Sequence, residues 1–123
     1  MLSSIWQWII AASGVATAGA GLAAFLAPRM FLRFGFGLER PQSLPAFFVR
    51  HWGILTFVVG ALLVYSVDAP ALRTPVLIAA AVEKFAFVLV IFLGSVTRTN
   101  VMKAAAIGDG LFAIVYISYI AQH

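Results

Sequence analysis

The sequence predicts an all-α protein, an integral membrane four-helix bundle. Three observations carry that prediction. Of 123 residues, 63% are hydrophobic and only 10% are charged, whereas soluble domains hold about 25% charged residues. Four apolar stretches each reach the roughly 20 residues that a helix needs to cross a bilayer. Helix punctuation marks the ends of those stretches, with Pro28 after the first, Ser43 before the second, Thr74-Pro75 before the third and Asn100 before the fourth. A water-soluble fold of this size has too little interior for so much apolar surface, so lipid is the expected solvent.

The first span is expected over about 5–27 and carries no charge. "MLSSIWQWII" lacks the basic start of a signal peptide. Its two tryptophans suit a membrane interface, and the segment reads as a retained helix. Gly14, Ala18 and Gly21 form a stripe of small residues of the kind that packs helices in lipid. Pro28 ends this span. Segment 28–43, "PRMFLRFGFGLERPQS", mixes arginines with Met30, Phe31, Leu32, Phe34 and Phe36. That mixture fits a segment lying in the headgroup layer. A lid over a pocket and a docking surface for a partner are the alternatives.

The second span is expected over about 44–67, with Ser43 as N-cap and Asp68-Ala69-Pro70 as its end. The third is expected over about 75–96, opened by a Thr74 cap and Pro75 at the first helical position. The fourth is expected over about 101–121, capped by Asn100. Short connections make the last three spans antiparallel neighbours. All 123 residues then form a single membrane domain.

Charge gives an orientation. Arg29, Arg33, Arg40, Arg98 and Lys103 fall on one face of the membrane, and Arg73 with both termini on the other. By the positive-inside rule the first face is cytoplasmic and both termini are outside it. A bacterial inner membrane is the expected location. The same rule accounts for the net charge of +4 without nucleic acid as a partner.

There is no cysteine, which excludes disulfides, thiolate metal sites and cysteine nucleophiles. No phosphate loop, nucleophile elbow or zincin pattern is present. The chain therefore reads as non-catalytic and without a metal or cofactor, apart from a bound lipid or quinone. Any enzyme chemistry would fall to proton transfer by Glu83 or Asp109.

The informative residues are the charges inside the spans. Counting 1.5 Å per residue from the expected cytoplasmic ends puts Arg50 and His51 about 10 Å deep, Asp109 about 12 Å, and Glu83 and Lys84 about 18 Å. Each such charge costs about 2.5–3.5 kcal/mol at the bilayer centre. Two bases and two acids sum to zero, and Arg50 and Asp109 lie at similar depth. An Arg50–Asp109 ion pair between the second and fourth spans is expected on that ground. Adjacent helical residues diverge by about 100°, so Glu83 and Lys84 need separate partners. Lys84 reaches toward Asp109 or a backbone carbonyl; Glu83 reaches toward Tyr65 or Tyr116, or is protonated, since a buried carboxyl away from a cation becomes neutral. On the fourth span Asp109, Phe112, Ala113 and Tyr116 share one face. Arg50, Gly53, Phe57 and Gly60 share a face of the second. The candidate site is thus Arg50, His51, Glu83, Lys84, Asp109 and Tyr116, serving either as a ligand-binding pocket or as a structural charge cluster. His51 has only His123, at the opposite face, as a second histidine, so it reads as a hydrogen-bonded interfacial residue and not a metal ligand.

The segments "LAPRMFLRFGF", "FVRHWGILTFVVGALLV", "RTPVLIAAAVEKFAFVLV" and "KAAAIGDGLFAIVYISYI" follow one another in the order seen in small four-helix membrane proteins of the DoxX-like and DUF4345-like type, which this chain resembles. Arg50, Gly53, Glu83, Lys84 and Asp109 carry most of that likeness. The resemblance implies a four-helix bundle. The namesake of the DoxX group is a membrane subunit of a thiosulfate–quinone oxidoreductase, and many of its relatives have no assigned activity. No catalytic residue comes with the resemblance. Small multidrug resistance exporters share the size and helix number, but their essential acid lies in the first helix, which here has none.

Two functions follow as expectations. One is a non-catalytic accessory or structural subunit of a larger respiratory or photosynthetic membrane complex, partnered by that complex or by copies of itself. The other is a protein that binds a lipid, quinone or small amphiphile in an intramembrane charged pocket. Membrane lipids are partners in both.

Overall fold

The computed structural model describes residues 4–95 and 97–123. They form five helices: α1 (Ile5–Leu26), α2 (Pro28–Phe36), α3 (Ser43–Ser66), α4 (Pro70–Leu93) and α5 (Asn100–Gln122). Among the described residues there is no strand. Helices α1, α3, α4 and α5 are each long and apolar enough to cross a membrane. The chain is an all-helical integral membrane protein.

Around the bundle α1 packs on α3, α3 on α4, and α4 on α5, with a thinner seam closing α5 onto α1. The tightest seam joins α1 to α3, where the expected small-residue stripe meets its counterpart. A Cβ on Gly14 would lie 2.8 Å from the Gly60 carbonyl oxygen. One on Gly53 would lie 2.6 Å from the Gly21 carbonyl oxygen. The two backbones touch, which only glycine permits, and dispersion contact of this kind holds helices together where no hydrophobic effect operates.

Several boundaries differ from the sequence expectation. Helix α4 starts at Pro70, five residues early, with Pro70 at its first position and Pro75 inside it. A proline in the second turn gives up a single N–H and leaves the helix intact, because apolar packing of Leu77 and Ala80 continues the pattern. Residues 67–69 alone therefore turn the chain from α3 into α4. Val96, the expected end of that span, lies outside the described residues, and α4 stops at Leu93. The first residue of α3 is Ser43, with Gln42 as a cap that makes no side-chain bond; the Ser43 hydroxyl accepts from Arg29 instead, at 3.4 Å. Thr99, and not Asn100, caps α5, accepting from the Met102 N–H at 3.1 Å. At α1, Ser4 caps with Gln7 closing a reciprocal capping box.

The expected interfacial segment begins as the nine-residue helix α2, with Pro28 at its first position and Gly37 ending it at φ +73°. Its Leu32 is buried and its Met30 and Phe34 are exposed. The Thr99 hydroxyl donates to the Gly35 carbonyl at 2.7 Å and ties α2 to the start of α5.

The apolar core fills the half of the bundle nearest the termini. Ile10, Leu63, Leu77, Ala113 and Tyr116 meet there. A smaller cluster of Ile91, Met102 and Ala106 joins α4 to α5 at the far end. Between them the bundle is not filled.

Arginines secure three helix ends. The last four carbonyls of a helix lack intrahelical donors, and a cation there also complements the helix dipole. Arg50 donates to Phe25 O in α1 at 3.2 Å. Arg73 donates to Ser66 O and Val67 O at the end of α3, at 3.1 and 2.6 Å, and to the Tyr119 hydroxyl at 2.9 Å. Arg98 donates to Ile91 O and Phe92 O of α4 at 3.3 Å.

Candidate functional site: a charged cavity within the bundle

Lys84 is the centre of the site. It is 2% exposed, and its ammonium donates to Thr17 Oγ1 at 2.9 Å and to Asp109 Oδ1 at 3.1 Å. Helices α1 and α4 are diagonal in the bundle, so the long lysine stem spans a gap that the backbones do not close. The ring of Phe112 lies 5.6 Å from the same ammonium, close enough for a cation–π contact.

Thr17 passes the network on along α1. Its hydroxyl donates to Ser13 O at 2.7 Å, and Ser13 Oγ donates to Ile10 O at 2.8 Å. The Tyr116 hydroxyl donates to Ser13 Oγ at 2.6 Å. A polar thread therefore crosses α5, α4 and α1, and each hydroxyl in it has a partner. Satisfying every member is what makes such a thread tolerable in a low-dielectric interior.

Glu83 is the exception. It sits beside Lys84 in sequence but points elsewhere, and its Oε2 is buried with no hydrogen-bond partner. A buried polar atom left unpaired costs about 1–3 kcal/mol, and more when charged.

These groups line a cavity of about 290 Å³ to which all five helices contribute. Thr17, Glu83, Lys84 and Asp109 make its polar side. Phe31 and Phe36 of α2, Trp52 of α3, Phe87 of α4 and Phe112 of α5 make its aromatic side. Trp52 stacks on Phe87 at 6.3 Å between ring centroids, and Phe31 meets Trp52 at 5.5 Å. An apolar cavity with a few convergent polar groups is the usual form of a small-molecule site.

Of the six candidate residues, Glu83, Lys84 and Asp109 come together at the cavity, and Tyr116 joins them through Ser13 and Thr17. Arg50 and His51 do not. The expected Arg50–Asp109 pair is absent because α3 and α5 are diagonal and share no seam; equal depth placed the two residues at one level but on opposite corners. Arg50 is exposed, with its guanidinium 5.7 Å from the Phe25 ring as well as on the Phe25 carbonyl. His51 is exposed on α3 and makes no hydrogen bond among the described residues, contrary to expectation. Tyr65, offered as a partner for Glu83, is 62% exposed.

Sequence reasoning missed Ser13, Thr17 and, of the aromatic wall, Trp52 and Phe87. Ser13 and Thr17 left a readable signal: two hydroxyls four residues apart, on an otherwise apolar helix, beside its glycine stripe. The wall residues Trp52 and Phe87 left none, since aromatics also cover the lipid-facing surface, as Phe47 and Phe48 do. Among the described residues no group of three His, Asp or Glu side chains is placed to hold a metal ion.

No family model, curated protein or solved structure matches this chain.

Proposed function

We propose that this membrane protein binds a small amphiphile, of the lipid or quinone class, in the cavity between its helices. One observation carries the reading: Glu83, with a buried and unpartnered carboxyl oxygen, lines a cavity whose other charges, Lys84 and Asp109, already satisfy each other. A cluster serving only to hold helices together has no use for that oxygen or for the space beside it. Aromatic walls supply a surface for a ring or chain, and the polar side fixes the head. The reading does not call for a catalytic step.

Two further parts of the proposal rest on sequence. The five basic residues on the α2 side favour that side as cytoplasmic, in a bacterial inner membrane, with both termini across it. The order of four spans with an interfacial segment after the first supports kinship with the DoxX-like proteins.

The test is purification from native membrane in a gentle detergent, followed by mass spectrometry of proteins and small molecules together. Recovery of the chain with a specific lipid or quinone, diminished in Glu83→Gln and Asp109→Asn, is the expected result. Recovery in a stoichiometric larger complex, with no small molecule and no effect of either substitution, would replace the proposal by the accessory-subunit reading.

A further inference from the structure

Resting on that binding reading, we infer that the ligand is a cationic amphiphile, its ammonium held at Glu83 and its hydrocarbon chain laid in the groove between α3 and α4. Lys84 and Asp109 neutralise each other at 3.1 Å, so Glu83 is the unbalanced group of the cavity. Its carboxyl makes no hydrogen bond or ion pair among the described residues, and an ammonium supplies both a donor and the counter-charge that keeps it ionised. The aromatic faces around it give the same preference, since their electron-rich rings attract ammonium groups.

Position supplies the second half. Glu83, Phe36, Trp52 and Phe87 line not only the central cavity but also a second hollow on the outside of the α3–α4 seam. That hollow runs along Phe48, Val49, Ala86 and Val90 and is almost wholly apolar. Phe48 and Val90 are well exposed, on a helix face that looks toward lipid. Glu83 thus stands where the charged side of the inner cavity meets an outer, almost wholly apolar hollow. A molecule with a charged end and a chain fits both at once, with the chain still in contact with the bilayer from which it came.

The experiment uses the full chain in phosphatidylcholine nanodiscs, with empty nanodiscs as control. Trp52 emission, in a Trp6→Phe, Trp8→Phe background, reports binding of dodecylamine, dodecyltrimethylammonium, dodecanol and dodecanoate near neutral pH. Both cations should bind at least tenfold more tightly than the alcohol and the anion. Glu83→Gln should bring the cations to the level of dodecanol and leave dodecanol unchanged. Phe87→Leu, which keeps every charge, should weaken dodecyltrimethylammonium several-fold. Ala20→Phe, which fills the cavity from α1, should abolish binding of all that bind. Equal affinity for all four chains, lost in Ala20→Phe, would overturn the cation assignment and leave the cavity reading standing. Absence of any binding, or binding indifferent to Ala20→Phe, would overturn both. Should Glu83→Gln fail to fold, the ranking of the four ligands on the otherwise unaltered site decides the matter.

Discussion

Replacing Lys84 with methionine tests the central network most directly. Methionine keeps much of the stem's volume but removes the ammonium, and with it the hydrogen bonds to Thr17 and Asp109. Breaking a buried ion pair from one side costs about 3–5 kcal/mol, because the other charge stays behind uncompensated. Asp109 retains 25% exposure of its side chain toward the cavity, so water offsets part of that, and about 3 kcal/mol is expected. Asp109→Leu should cost about 2–3 kcal/mol, since Thr17 still receives the stranded ammonium. The double variant removes both charges together and should cost no more than the worse single change, giving a coupling of about 2 kcal/mol. Unfolding from dodecyl maltoside micelles by added dodecyl sulfate, followed by circular dichroism, reads all three. Strict additivity, or single costs below about 1 kcal/mol, would refute the claim that this pair is a buried, mutually dependent unit.

Three other outcomes are expected. Gly21→Ala and Gly60→Ala force a methyl group into the facing backbone and should each destabilise the bundle by about 1–3 kcal/mol in the same assay; Gly108→Ala, which meets nothing within 4 Å, should be neutral or stabilising by up to about 1 kcal/mol. Gly37→Ala places a side chain at φ +73° and should cost about 1–2 kcal/mol, with faster amide hydrogen exchange confined to α2. Arg73→Met removes the charged donor from the Ser66 and Val67 carbonyls, leaving them the Ala69 N–H at 3.2 Å and the Gln7 amide at 3.4 Å, and should raise hydrogen exchange in the last turn of α3 and first turn of α4, with α1 unchanged.

The spans were legible because hydropathy and length suffice to define them, and lipid allows few alternatives to a helix. Their starts were less so. Proline and a preceding threonine at Thr74-Pro75 imitate a helix start, and only the packing of Leu77 and Ala80 decides that the helix has already begun. The glycine stripe was readable since backbone contact in lipid demands small residues at a fixed spacing. The charge cluster was half readable. Depth along the helix follows from counting residues, which brought Lys84 and Asp109 within reach of each other. Which corner of the bundle a residue occupies depends on how helices are arranged around the axis, and the count is silent on that. Arg50 failed for this reason. Its true partner, the carbonyl of Phe25, is a backbone atom that no residue pattern marks.

The three-residue turn between α3 and α4 has a mechanical meaning. Helices α1 and α3 form one arm and α4 and α5 the other, joined at the termini end by that turn, the Arg73 bonds and the Tyr116–Ser13 contact, and at the cavity by the Lys84–Thr17 hydrogen bond and the Trp52–Phe87 stack. The cavity lies toward the free ends of both arms. From the turn to Phe87 the lever is roughly 27 Å long, so a rotation of about 5° at the pivot moves the ring by about 2 Å. Across the free ends the Thr99–Gly35 hydrogen bond works as a latch. The turn and the Thr99–Gly35 bond thus close the bundle at its two opposite ends, with the cavity between them.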